Sequence, residues 1–312
     1  MKRKYMSEFG LHTYSSHLTI CYPNDLNTLE LESSNHIYMV ALIPKLSYDP
    51  DSLRIFEDHI SVKVNIITES SNISRNLEFA LIQGNHKELK YNFDKPLKSL
   101  SVTNEAGQGV KIRVLSLYIE LTRENLDAEI MYIGQAYGKA GERDALDRLK
   151  SHSTLQKIQS DVLFEEPMSD IAIILFEFTP KLLASFDGMT KDYEKSSEED
   201  QKHLINIMAQ PPLELNNQMI NITEAALIHY FKPEYNEKFK NNFPKVEHLG
   251  YKHYYDMDYN ALLVELDMDA IKINLFSKEK KYIRFEAIKY TLHPENVRKD
   301  MFDIFGKEKR DV

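Results

Sequence analysis

The stretch MYIGQAYG, residues 131–138, places two of the ten glycines of a 312-residue chain within five positions. Glycine is favoured where the backbone needs a positive φ or must approach another group closely. Two interpretations of this stretch follow from that preference. It is either a strand that runs into a turn or the floor of a site, and the residues around it in the chain bear on the choice.

Composition limits the class of protein. Hydrophobic residues make up 42% of the chain and charged residues 28%, which is typical of a globular protein. The single cysteine, Cys21, excludes an internal disulfide framework and a cysteine-based zinc cluster. The N-terminus lacks the apolar core of a secretory signal, and no apolar run approaches the roughly 20 residues of a membrane span. We therefore expect a cytoplasmic protein without a membrane partner.

Three segments differ in their predicted structure, and together they indicate an α+β protein. Residues 1–110 predict an all-β domain of unknown target, since short runs rich in β-branched and aromatic residues alternate with turn formers. Residues 111–245 predict a central domain with an acidic insertion at about 186–218. Residues 246–312 predict a small α+β extension, a meander followed by a helix near PENVRKDMFDIFG.

The central segment predicts two strands, a helix, a buried strand and a second helix. KIRVLSLYIEL (111–121) and EIMYIG (129–134) are the first two strands, and a helix follows from about residue 144. DIAIILFEF (170–178) is typical of a buried strand. NITEAALIHYF (221–231) predicts a short helix, for which Thr223 is a suitable N-cap.

Polar residues near the opening motif are candidates for a site. Pairing of the two predicted strands would bring two tyrosines together, two side chains four residues apart share a helix face, and a carboxylate opens the later helix. Each of these has an ordinary structural explanation when taken alone. The two tyrosines are Tyr118 and Tyr132, the helix pair is Arg148 and His152, and the carboxylate is Glu224. Asn236, which follows KPEY, is a further candidate.

The order and spacing of four motifs resemble the GIY-YIG nuclease family. They are Tyr118, YIG (132–134), RLKSH (148–152) and EAALIHYFKPEYN (224–236), and they cover about residues 112–242. The resemblance implies a GIY-YIG-like central domain, a small antiparallel sheet flanked by helices, like the nuclease domain of bacterial excision-repair nucleases. SLY (116–118) stands in place of GIY. Gln135 stands where a lysine often occurs, and Lys139 is a candidate to replace that charge.

The resemblance also implies a mechanism for phosphodiester hydrolysis. Glu224 would be the single carboxylate that holds Mg²⁺ or Mn²⁺, and Tyr118 or Tyr132 would take the proton of the attacking water. Arg148 would lower the pKa of that tyrosine and contact the phosphate. His152 would orient a group or shuttle a proton.

Several further residues have expected roles around that centre. Asn236 would hold the helix of Glu224 against the sheet. Gly134 would leave room for the scissile phosphate, beside Gln135 and Lys139, unless it merely permits the turn. Lys238 and Lys240, in the basic stretch EKFKNNFPK (237–245), would contact backbone phosphates or belong to a solvated connector.

Three functions remain open from the sequence. The first is a metal-dependent endonuclease, with DNA expected rather than RNA and a role in restriction or phage defence. The second is a non-catalytic module that binds nucleic acid or protein on a nuclease-like fold. The third is a nuclease that stays silent until a partner binds its β domains. The net charge of −9 repels a polyanion, so local basic groups or a metal must attract one. A homodimer would allow cleavage of both strands, since one site cuts one strand.

Overall fold

The fold is dominated by one large sheet. The structure, a computed structural model, describes residues 2–29, 35–81, 86–135, 149, 153–188, 190, 192–212 and 216–303. It contains 42% strand and 25% helix, and nine strands of the described residues form a curled mixed sheet in the shape of a half-barrel. The expected small antiparallel sheet flanked by helices is therefore wrong, because the strand of the YIG motif is part of this larger sheet.

The large sheet has the strand order β11-β8-β2-β9-β1-β10-β12, and β3 and β4 extend it from β2. Its neighbours are antiparallel except for the pairs β1–β10 and β8–β11. The strands are β1 (Ser7–Cys21), β2 (Ile37–Ile55), β3 (Ile60–Ile67), β4 (Asn72–Phe79), β8 (Leu126–Gln135), β9 (Ser169–Phe186), β10 (Ala261–Asp267), β11 (Ile273–Phe276) and β12 (Phe285–Thr291). A separate sheet of three antiparallel strands contains β5 (Lys90–Asp94), β6 (Ser99–Thr103) and β7 (Gly109–Arg113).

The long strand β2 organises the sheet. Its first half, Ile37–Ile43, is buried at every position, as expected for an apolar run with both faces covered. This half pairs with β8 on one side and β9 on the other, whereas the second half pairs with β3. Strands from 1–110, 111–245 and 246–312 consequently share hydrogen bonds within one sheet.

Five α-helices with defined bounds occur among the described residues, and two of the sequence predictions for helices and strands fail here. The predicted strand 111–121 is wrong, because its second part forms a helix. Apolar residues at 114, 115, 117 and 118 also fit a helical period, and all four are buried. The helices are α1 (Val114–Leu121), α2 (Ser153–Glu165), α3 (Ser197–Ala209), α4 (Asn217–Phe231) and α5 (Lys252–Asp256). The predicted C-terminal helix is not formed up to residue 303, where the described chain has turns.

Local capping explains two of the helix starts. In the acidic segment, the Ser196 side chain accepts a hydrogen bond from the Glu199 amide, and the Glu199 carboxylate accepts one from the Ser196 amide. This capping box begins α3. Helix α4 begins with Asn216, whose side chain accepts from the Met219 amide at 2.9 Å. Thr223 is therefore not the N-cap; it is buried inside the helix and donates to the Met219 carbonyl at 2.8 Å.

The two faces of the sheet have different covers. On one face, Tyr38 and Leu175 of the strands pack with Ile158 of α2. On the opposite face, α4 packs its Ala225 and Ile228 into the larger core. Among the described residues, no helix is both long and apolar enough to cross a membrane.

Candidate functional site

The YIG motif lies on β8 directly beside an Ile-Tyr pair of β2. In the antiparallel register, Tyr38 is opposite Gly134 and Val40 is opposite Tyr132. The rings of Tyr38 and Tyr132 lie on the same face of the sheet with centroids 6.1 Å apart and planes inclined by 37°. The tyrosine adjacent to the YIG motif is thus Tyr38, which follows His36 and Ile37 in the sequence.

Gly134 allows this arrangement of rings. A Cβ atom at this position would lie 2.6 Å from Cζ and from the hydroxyl of Tyr38, and 2.7 Å from Cε1 of Tyr132. These separations are shorter than carbon atoms tolerate, and the Tyr38 side chain is fully buried, so it has little room to move. Gly134 is therefore required by a close approach, because a side chain at this position would overlap the phenol ring of Tyr38 on the neighbouring strand.

Tyr118 lies elsewhere, and the expected pairing of its strand with that of Tyr132 is wrong. Tyr118 is on α1 and packs in the core on the other face of the sheet. Its hydroxyl donates to Oε2 of Glu124 at 3.1 Å. Burial, with a further contribution from Glu124, raises the pKa of Tyr118 to about 12. With this raised pKa, less of the phenolate that accepts a proton is present near neutral pH than for a free tyrosine, so Tyr118 does not fit the role of proton acceptor.

Sequence reasoning missed Tyr38, although a signal was present. HIY (36–38) shares two residues with the GIY motif, whereas SLY (116–118) shares one. His36 then stands in place of the motif glycine. The sequence gives no sign that HIY and YIG are neighbours, because β3 to β7 and α1 all lie between Tyr38 and Tyr132 in the chain.

Glu224 lies in the middle of α4, where it is half-buried. It is not in the first helical turn, so the helix dipole does not account for it. Asn221, one turn earlier on the same face, accepts a hydrogen bond from Nε2 of Gln135 at 3.0 Å. The residue after the YIG motif is thereby tied to the face of α4 that carries Glu224.

The segment after α4 returns to the YIG strand. The Asn236 side chain accepts from the Ile133 amide at 2.9 Å and donates to the Ile133 carbonyl at 2.8 Å. The Tyr235 amide donates to the Met131 carbonyl at 3.0 Å. Residues 235–236 thus replace a neighbouring strand on the edge of β8 that faces away from β2, and they anchor the end of α4 to the sheet.

The Tyr235 side chain reaches the opposite face of the sheet. Its hydroxyl donates to Oδ2 of Asp161, on α2, at 2.7 Å. Burial, together with this hydrogen bond, raises the pKa of Tyr235. Tyr235 and Asn236 therefore connect α4, β8 and α2 around the part of the β8 edge that lies beyond its pairing with β11.

The two basic candidates differ in environment. Lys238 is exposed. Lys240 is half-buried, and its Nζ donates to the Glu234 carbonyl at 3.0 Å. Lys139, Arg148 and His152 lie outside the described residues.

The oxygen-rich side chains near Glu224 suit a hard cation. Carboxylate and amide oxygens are ligands that Mg²⁺ accepts, and Glu224 shares its helix face with the amide of Asn221. Among the described residues, no three or more His, Cys, Asp or Glu side chains form a group that could hold a metal. A centre with one carboxylate would not produce such a group.

Comparisons with protein-family models, with curated proteins and with solved structures find no match for this chain.

Proposed function

We propose that this protein is a metal-dependent nuclease that hydrolyses phosphodiester bonds, with DNA as the first substrate to test. The observation that carries the proposal is the antiparallel pairing of HIY in β2 with YIG in β8, which sets Tyr38 beside Tyr132. The GIY-YIG family is named for two such motifs. In this proposal Tyr38 takes the place that the sequence suggested for Tyr118.

A second support is the convergence of α4 on the same strand. Gln135 bonds to Asn221 on one side of Glu224, and Asn236 bonds to Ile133 on the other. In the sequence, Glu224 lies between these two residues of the α4 segment that are attached to the last residues of β8. This convergence involves residues of the YIG strand and of EAALIHYFKPEYN, two of the motifs in the resemblance.

The described residues divide the chemistry as follows. Glu224 would hold Mg²⁺ or Mn²⁺, a cation that neutralises charge on the phosphoryl oxygens and favours ionisation of a bound water. Tyr132 is half-buried whereas Tyr38 is fully buried, so Tyr132 is the tyrosine of the pair that can contact a water. Its ring lies on the α2 face of the sheet, whereas α4, which carries Glu224, packs on the opposite face, so the two groups would act on one phosphate around the edge of β8. Tyr38 positions the Tyr132 ring through their contact. Arg148 and His152 keep the roles that the resemblance implies, contact with the phosphate and orientation.

A cleavage assay with matched variants tests the proposal. Supercoiled plasmid, linear DNA and structured RNA are incubated with wild type, Glu224→Gln or Glu237→Gln, in Mg²⁺, Mn²⁺ or EDTA. Glu237 is an exposed glutamate shortly after α4, so its variant controls for loss of one negative charge. Circular dichroism confirms that all three proteins are folded.

We expect metal-dependent cleavage by wild type and Glu237→Gln, and none by Glu224→Gln. Undiminished cleavage by Glu224→Gln would refute the metal assignment. Binding of the same nucleic acid by wild type without cleavage in either metal would instead identify a non-catalytic module.

A further inference from the structure

A cavity of about 680 Å³ lies beside the middle of β2, away from the tyrosine pair near the start of that strand. The loop 23–28, the turn between β5 and β6, and the C-terminal end of α2 form its walls. Lys45 of β2 borders the cavity, and seven residues of strand separate it from Tyr38, a distance of roughly 23 Å. The cavity is thus distinct from the candidate nuclease site, and its volume is in the range of small-molecule sites.

One wall of the cavity is charged and slightly positive. Five cationic and four anionic side chains border it, so its formal charge is 5 − 4 = +1 in a chain with a net charge of −9. They are Lys45, Lys95, Lys98, Lys111, Arg113, Asp25, Asp94, Glu166 and Asp170. A local excess of cations within an acidic protein favours an anionic ligand at this position.

The cations of this wall are held in place by carboxylates. Lys111 pairs with Asp94 at 2.6 Å, and Arg113 pairs with Asp25. Lys98 is held by Asp170. Burial lowers the pKa of Lys98, while the Asp170 carboxylate opposes that effect. Fixed cations of this kind bind an anion with little loss of side-chain entropy.

Apolar side chains line the cavity as well. Val162 and Leu163 of α2 border the cavity, as do Pro23 and Pro96. The Leu163 side chain is 70% exposed, so it offers apolar surface to a ligand in the cavity. A ligand that contacts both the charged and the apolar lining residues therefore has an apolar ring or chain as well as a charge.

Tyr22 supplies an independent indication of a polar ligand group. The residue is only 8% exposed and lines the cavity, where its hydroxyl makes no hydrogen bond of standard geometry with the described residues and interacts with the Asp170 carboxylate. Burial, with a contribution from Asp170, raises the pKa of Tyr22, so the hydroxyl keeps its proton. A ligand with a hydrogen-bond acceptor would offer this buried hydroxyl a partner in addition to Asp170.

We propose that this cavity binds a small organic anion of mononucleotide size that carries a ring. The anionic group, a phosphate or a carboxylate, lies against Lys111 and its neighbouring cations. The ring lies against Val162 and Leu163, and the ligand accepts a hydrogen bond from Tyr22. This site does not depend on the proposed nuclease activity.

Isothermal titration calorimetry on the full chain tests the site with four probes. AMP and indole-3-acetate carry a ring with a phosphate or a carboxylate, whereas adenosine and inorganic phosphate each lack one half. We expect one of the two ring anions to bind at least about tenfold more tightly than adenosine and phosphate, since each half-ligand contacts one wall. Which ring anion binds identifies the anionic group.

Exposed residues offer variants with matched controls. Leu163→Glu places a negative charge, the same sign as that of the ligand, beside the apolar lining residues. Phe164→Glu also replaces an apolar side chain with a carboxylate, but Phe164 does not line the cavity. Lys111→Gln removes a cation, with Lys90→Gln on the exposed side of β5 as its control. Leu163→Glu and Lys111→Gln should each weaken binding by about tenfold or more, and the controls by less than about twofold.

Two results would overturn the proposal. The first is a failure of both ring anions to bind at concentrations of a few millimolar. The second is equal weakening in each variant and its control, because binding would then occur outside the cavity.

Discussion

Replacement of Asn236 tests how the segment after α4 is attached to the YIG strand. Asn236→Ala removes the bond accepted from the Ile133 amide and the bond donated to the Ile133 carbonyl. Asn236 is 7% exposed, so both backbone groups lose their partner in a buried place. Each unsatisfied group costs about 1–3 kcal/mol, and water that enters the vacated space brings the sum towards its lower half, about 3 kcal/mol.

Urea unfolding followed by circular dichroism measures this loss. The control is Asn242→Ala, an exposed asparagine of the same segment, which should change the free energy of unfolding by less than about 0.5 kcal/mol. A loss below about 1 kcal/mol in Asn236→Ala would refute the attachment, because two buried hydrogen bonds cannot disappear at so small a cost.

Asn236→Asp separates the two bonds. The new carboxylate still accepts from the Ile133 amide, but its second oxygen faces the Ile133 carbonyl, where the amide nitrogen donated. This contact disfavours the charged form and raises the pKa of the carboxyl in the folded state. Because the folded protein then binds the proton more tightly, the deficit relative to wild type should shrink as the pH falls through that raised pKa. A deficit independent of pH would contradict the assigned donor.

Two further predictions concern a tyrosine and a histidine. Tyr132→Phe should lower cleavage by about a hundredfold or more, the usual effect of a lost general base, whereas Tyr118→Phe should leave the rate unchanged because its hydroxyl is bonded to Glu124; single-turnover rates on plasmid DNA decide this. Burial lowers the pKa of His203 below 6.5, so the unfolded chain takes up the proton first and stability falls as the pH decreases through that value. His203→Phe preserves stacking on Tyr5 and should reduce the stability lost between about pH 7.5 and 5.5 in thermal melts.

Strands were predictable where burial on both faces produced continuous apolar runs. Residues 37–43 and 130–133 are of this kind, and they form paired parts of β2 and β8. The start of β1 was not predictable in the same way. Its first residues, from Ser7, are strand because they pair with the far end of β9, as in Ser7 with Phe186. That pairing is a tertiary effect, which local propensity does not contain.

The region of Tyr118 shows a different limit, an ambiguity of period. KIRVLSLYIEL alternates well enough for a strand, yet its second part also places apolar residues at helical spacing. The structure divides the run between β7 and α1. The error in Tyr118 followed directly, because a tyrosine on the wrong type of element was assigned to a strand pair that does not form.

Contiguity in the chain explains which parts of the candidate site could be predicted. Glu224, Tyr235 and Asn236 belong to one run of thirteen residues (224–236), so their relation to each other was visible in the sequence. Tyr38 reaches the YIG strand only because β2 lies between β8 and β9, a neighbourhood that no local pattern encodes. The two residues that HIY shares with GIY are no evidence by themselves, because HIY lies far from YIG in the sequence. They become evidence once the strand register sets Tyr38 opposite Gly134. The register also explains Gly134, because the space that a side chain at this position would fill is occupied by the phenol of Tyr38.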